Sequence, residues 1–159
     1  LKMVRIGVIS DTHGHFSRAS QALNKWGKID LLLHAGDGKH DALALGRLAN
    51  CPVWAVAGNT DGVIEPQEEI VEVGKYRILL IHGYQFPPSN REELLAELAI
   101  RRQTQIVVYG HTHKPYNNYH KGIIVFNPGS PVKPRNSSPS CGLIEIDGER
   151  IITNHLEIS

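Results

Sequence analysis

A chain of 159 residues with 41% hydrophobic side chains can bury one sizeable core, and one domain spanning residues 1–159 is expected. Lysine and arginine total 17 against 16 acidic residues, and this formal charge of +1 excludes a general attraction to nucleic acid or anionic membrane. No apolar run approaches the ~20 residues of a membrane span, and the 2 cysteines, Cys51 and Cys141, form neither a disulfide framework nor a metal knuckle.

The first residues, Leu1 to Arg5, run into a strand-like stretch without the features of a secretory signal. With cysteines that suit a reducing compartment, this gives a cytoplasmic location as the expectation. Val4 to Ile9 reads as a buried strand. Ser17 can cap a helix that carries Ala19, Ala22, Leu23 and Trp26 on one face and stops at Gly27. Leu31 to His34 is the next strand. A helix with Ala42, Leu45, Leu48 and Ala49 then ends near Asn50, and Pro52 opens a strand over Val53 to Val56. Glu69 to Val73 and Tyr76 to Ile81, joined by Gly74-Lys75, look like a hairpin, followed by an amphipathic helix from Asn90 through about Arg102. Ile106 to Tyr109 is another buried strand. Strands are expected at Ile123 to Phe126, Gly142 to Ile146 and Ile151 to Leu156, and a long ordered loop over the proline-rich stretch Pro128 to Ser140. Alternating strands and helices followed by strands point to an α/β chain, parallel early and antiparallel late. Trp26 and Trp54 fall in apolar patterns and are expected in the core.

The chemistry lies at strand ends. Ile9-Ser10 leads into Asp11-Thr12-His13, Leu33-His34 into Gly36-Asp37, Val56-Ala57 into Gly58-Asn59, Leu80-Ile81 into His82-Gly83, and Val108-Tyr109 into Gly110-His111-Thr112-His113. Ligands gather at the C-terminal ends of strands in open α/β sheets. Glycine beside most of these positions would let the backbone turn tightly there. Carboxylate, amide and imidazole together make a moderately hard ligand set suited to manganese, iron, zinc or nickel. Seven such groups exceed the needs of one open catalytic ion, whereas two ions sharing a carboxylate, with Asp37 as the candidate bridge, would use them all. Such a pair suits hydrolysis of phosphate esters by a hydroxide held between the ions.

Asp11-x-His13, Gly36-Asp37, Gly58-Asn59, His82-Gly83 and Gly110-His111-x-His113 together resemble the signature of the calcineurin-like metallophosphoesterases. Asn127-Pro128-Gly129-Ser130 and Pro134-Arg135 resemble the closing loop of that superfamily's small bacterial and archaeal phosphodiesterase branch. The resemblance implies a four-layer α/β sandwich of two mixed β-sheets flanked by helices. It also implies two divalent metal ions, manganese first, with nickel, iron and zinc as alternatives. By position it puts Asp11, His13 and His113 on one ion, Asn59, His82 and His111 on the other, and Asp37 on both. Asp37, Asn59 and His82 then carry catalysis and Asn59 contacts substrate; Arg135 is read equally as a solvated charge or as a substrate phosphate contact, since its planar donors suit such oxygens. Many members of the superfamily follow the asparagine with a histidine that protonates the leaving group; Thr60 stands there in this chain, which leaves Asp61, His15 or a metal-bound water as substitutes, or leaving groups that depart without much proton help.

Each motif alone has an ordinary structural reading: Asp11 as a turn cap, Asp37 and Asn59 as turn residues, His82 and His111 as hydrogen-bonded histidines at strand ends. Their order, each at the end of an apolar run, favours a metal site. His34, His40, His120 and His155 lack such a pattern and are assigned to packing or surface. The function expected is hydrolysis of a small phosphodiester. The alternatives are a phosphomonoesterase or a non-catalytic protein-binding scaffold, since the retromer's small subunit resembles this fold. No basic stripe interleaved with aromatics supports extended nucleic-acid binding, no membrane association is expected, and oligomeric state is left open.

Overall fold

The computed structural model describes residues 3–61 and 66–158. The first half builds one sheet from β1 (Val4–Ile9), β2 (Leu31–His34) and β3 (Val53–Ala55), interleaved with α1 (Phe16–Ala19), α2 (Ala22–Trp26) and α3 (Lys39–Ala49). The second half adds β4 (Glu68–Val73), β5 (Tyr76–Ile81), α4 (Arg91–Arg101), β6 (Ile106–Val108), β7 (Pro115–His120), β8 (Ile123–Pro128), β9 (Ser140–Asp147) and β10 (Arg150–Glu157). Two mixed five-stranded sheets result, ordered β10-β9-β1-β2-β3 and β4-β5-β6-β8-β7.

Their layering follows from strand alternation, which sends successive side chains to opposite faces. Val8, Leu33, Ile78, Leu80, Val108 and Phe126 share a core between the two sheets. Ile9 and Leu32 face the other way, onto Trp26 and Leu45 of the helices, while Leu79 and Val107 face Leu95 of α4. The inner strands β1, β2, β5, β6 and β8 are therefore covered on both faces, giving the helix, sheet, sheet, helix order expected from the resemblance.

The two longer helices match their end signals. Asp41 lies in the first turn of α3, Arg47 in its last, and Asn50 closes it in the left-handed conformation at φ 56°. Asn90 precedes α4, with Glu92 and Glu93 in the first turn. The helix expected from Ser17 differs, being split into α1 and α2, with His15 rather than Ser17 at the N-cap. Ser20 lies at the break, its hydroxyl donating to the Ser17 carbonyl at 2.8 Å, a local bond that competes with continuous helix.

Two further expectations fail. β7 was not predicted, because its polar sequence Pro-Tyr-Asn-Asn-Tyr-His shows no apolar run; it is an exposed edge strand held by antiparallel pairing to β8. Trp54 is 38% exposed on edge strand β3 and does not fill a core.

Candidate metal centre

Parallel pairing of β1 with β2 and β2 with β3, and of β5 with β6, brings the C-terminal ends of these strands to one edge of each sheet. Backbone bonds stitch the loops beyond them: Asp11 N–H donates to Gly36 O at 2.9 Å, His13 N–H to Asp37 O at 2.8 Å, and Gly110 N–H to His82 O at 3.0 Å. His111 N–H donates to Asp11 Oδ2 at 3.0 Å and so joins one sheet's edge to the other's.

The backbone turns sharply at the candidate ligands themselves. Asp11, His13, Asp37, His111 and His113 have φ of 57°, 48°, 59°, 71° and 62°. Residues with a Cβ rarely adopt this left-handed region, and such strain clusters at functional sites where surrounding structure enforces it. The neighbouring glycines serve as much by lacking bulk as by turning: a Cβ on Gly110 would stand 2.0 Å from Ser10 Oγ and 2.7 Å from Asp11 Oδ2.

These turns aim the side chains at one another. Two overlapping sets, Asp11 with His13 and His113, and Asp11 with Asp37 and His82, each offer ligand atoms lying within 4.8 Å of one another. Asp11 belongs to both. Asp37, expected as the shared carboxylate, also reaches both, its Oδ2 being 3.7 Å from His13 Nε2 and 3.3 Å from His82 Nε2. Asn59 Oδ1 lies 3.0 Å from His82 Nε2, and the His111 ring centroid is 5.2 Å from that of His82. All seven candidate ligands thus gather at one place. Arg135 stands beyond them, its backbone N–H donating to His113 O at 3.1 Å and its side chain exposed.

The fit to metal is chemical as well as geometric. Asp11 Oδ1 is fully buried and, among the described residues, without a hydrogen-bond partner, although imidazole nitrogens of His113, His13 and His82 lie 3.4, 3.9 and 3.9 Å away. A buried carboxylate oxygen left unsatisfied among imidazoles is what a coordinated cation would complete. His82 Nδ1 is 2.7 Å from Ala35 O and His113 Nδ1 is 2.6 Å from Lys133 O. Each carbonyl can hold a proton on Nδ1, which in the neutral ring leaves Nε2 with its lone pair toward the cluster, as metal-binding imidazoles require.

Electrostatics follow from this crowding. Burial opposes the charge on Asp37, but the hydrogen bond and charge of His82, with the Thr60 N–H, outweigh it and hold the carboxyl well below the usual range. His82 is raised despite burial, because Asp37 and Asp11 favour its charged form. Asp11 likewise raises His113. Burial lowers His13 and His111, and the latter is lowered further by His82 and Arg91.

Several residues that the sequence reading left aside support this cluster. His34, assigned there to packing or surface, is fully buried. Its Nδ1 accepts the Gly36 N–H at 3.1 Å, so its proton sits on Nε2 and is donated to Thr12 Oγ1 at 3.0 Å. Thr12 in turn donates to Asp41 Oδ2 at 2.6 Å, which also receives the Gly14 N–H at 2.9 Å. Asp61, one candidate proton donor, is engaged elsewhere, its carboxylate accepting N–H bonds from Asp37, Gly38 and Gly58 at 2.8, 3.0 and 2.8 Å. Ser130 Oγ donates to Asp11 O at 2.9 Å, and Asn127 Nδ2 donates to Gly110 O at 3.0 Å, tying the closing loop to the centre. Tyr84, which no motif singled out, has its ring 5.8 Å from His82 and 6.4 Å from His111.

The chain is similar to known proteins over most of its length. A probable metallophosphoesterase of Methanothermobacter thermautotrophicus is 34% identical over 153 residues, covering 92% of this chain and 88% of that protein. Phosphodiesterase YfcE of Escherichia coli K12 is 33% identical over 106 residues, covering 60% of this chain and 53% of YfcE. Among solved structures, a predicted phosphoesterase from Streptococcus pneumoniae superposes with a TM-score of 0.83 at 26% identity, over 99% of this chain and 91% of the other. A single mutant of Vps29 from Entamoeba histolytica superposes with a TM-score of 0.78 at 25% identity, over 98% of this chain and all of the other, 100%. Residues 4–149 match the calcineurin-like phosphoesterase superfamily domain, and the chain belongs to that superfamily.

Proposed function

We propose that this protein is a phosphodiesterase that hydrolyses small phosphate diesters with two divalent metal ions, manganese first among them. Asp11, His13 and His113 would hold one ion, Asn59, His82 and His111 the other, with Asp37 common to both. The observation that carries this reading is the buried, unpartnered Asp11 Oδ1 within 4 Å of three imidazole nitrogens. When bound, such ions polarise a phosphoryl oxygen and acidify a coordinated water.

The chain's own groups supply the rest. Ala35 O and Lys133 O keep His82 and His113 in one tautomer, and the Thr60 N–H at 2.8 Å keeps Asp37 Oδ1 oriented. Thr60 offers no proton near neutral pH and Asp61 is occupied by three backbone N–H groups. These facts favour diesters whose leaving groups depart with little proton help. The relative named phosphodiesterase YfcE supports the diester reading.

Manganese-loaded protein should hydrolyse bis(p-nitrophenyl) phosphate, with rates that fall steeply as the leaving group becomes more basic, and EDTA should abolish turnover. Protein of verified metal content that cleaves no diester in a broad panel would overturn the reading. The second reading is a protein-binding scaffold, implied by the resemblance of the retromer's small subunit to this fold. Against it stands the cluster itself, since buried carboxylates and imidazoles are costly to keep together for docking alone. A stoichiometric partner bound equally by Asp37→Asn would favour the scaffold.

A further inference from the structure

Two grooves open on either side of the candidate metal centre, and they are built differently. One, of about 370 Å³, begins at His13 and sets Lys39 and Lys133 against Asp41 and Asp61, with no aromatic ring besides imidazoles. The other, of about 450 Å³, begins at His111 and is walled by Pro88, Pro115, Tyr116, Lys114 and Arg135. Its rings and prolines give flat apolar faces, and its two cations are exposed with no ion-pair partner among the described residues.

The remaining charges in the second groove do not cancel this. Arg91 adds a third cation; its guanidinium donates to the carbonyls of Gly83 and Phe86 at 3.1 and 2.9 Å, bonds that leave its charge in place. The one carboxylate, Glu92, accepts the Tyr109 hydroxyl at 2.6 Å and offsets one of the three positive charges. Three cations against one acid, with apolar faces beside them, match a ligand that is both planar and anionic. The groove's contact with His111 places that ligand next to phosphate at the centre.

Resting on the phosphodiesterase reading, we propose that the groove beside His111 binds one ester arm of the substrate, and that this arm pairs a planar ring with a second anionic group, as in a nucleoside that carries a further phosphate. Lys114 and Arg135 receive the additional anion, and Tyr116 with Pro88 and Pro115 packs against the ring.

The test compares two substrates with the same leaving group: the p-nitrophenyl ester of thymidine 5'-phosphate, and the same ester carrying a 3'-phosphate. Metal-loaded full chain should show kcat/KM about tenfold higher for the 3'-phosphorylated ester, as expected for about two partly exposed ion pairs. In Lys114→Gln/Arg135→Gln the preference should fall to nearly none, and Tyr116→Ala should raise KM for both nucleoside esters relative to methyl p-nitrophenyl phosphate, which beyond the shared leaving group has no ring to place in the groove. Equal kcat/KM for the two esters, or a preference that survives the double substitution, would overturn the proposal. Calorimetry with thymidine 3',5'-bisphosphate on metal-free protein gives a second readout that needs no turnover. Binding about tenfold weaker in the double variant would uphold the groove even if every diester resisted cleavage, an outcome that would sink only the catalytic reading; unchanged binding would sink the groove.

Discussion

At the scale of single residues the site depends on groups that would be unfavourable anywhere else in the molecule. Asp37 is held ionised among imidazoles, and Asp37→Asn removes the charge with little change of shape. We expect bound metal to fall well below wild type by elemental analysis and turnover to drop by at least a hundredfold. Behind the ligands, Thr12 links His34 to Asp41, so Thr12→Val strands the buried His34 N–H and leaves Asp41 Oδ2 with the Gly14 N–H alone. This should cost about 2 kcal/mol in urea denaturation, whereas Thr12→Ser keeps the hydroxyl and should lose far less. His34 supplies a pH prediction. Burial lowers its pKa from 6.5 to about 4, so the unfolded chain takes up this proton first as pH falls. Its contribution to stability is therefore complete above pH 6.5 and declines through the window down to about 4, by roughly 3 kcal/mol. Subtracting the metal-free profile of His34→Gln from that of wild type should isolate this decline; a flat difference would contradict it.

At the scale of elements, sequence pattern was informative wherever a strand is buried on both faces or a helix has clear end signals. β2 and β6 are built on unbroken apolar runs, β1 and β5 are apolar beyond Arg5 and Arg77, and α3 and α4 carry capping residues and terminal charges. β7 escaped because pairing to β8, and no burial pattern of its own, makes it a strand. Trp54 misled because apolar character does not reveal which strand lies at a sheet's edge. The candidate ligands were legible from their places at strand ends, but their left-handed backbone was not, since tertiary bonds impose it on residues that disfavour it locally. His34 and Tyr84 had no motif, and only the fold brings them to the centre. Close approach between elements is testable at Gly110. Gly110→Ala would push a methyl into Ser10 and Asp11, so metal affinity should fall at least tenfold in titration calorimetry while far-UV circular dichroism stays near wild type.

At the scale of the whole molecule, the cluster is drawn from loops of both sheets, so whatever binds there clamps one sheet to the other across the shared core. Metal binding should therefore stabilise the fold as a unit. At a free concentration a hundred times the dissociation constant, one site adds about 2.7 kcal/mol, and EDTA should lower the melting temperature accordingly. The most direct measurement is anomalous diffraction from crystals soaked in manganese. The account predicts two peaks roughly 3.5 to 4 Å apart, one against Asp11, His13 and His113, the other against Asn59, His82 and His111, with Asp37 touching both. A soaked crystal with no manganese peak among these residues would contradict it.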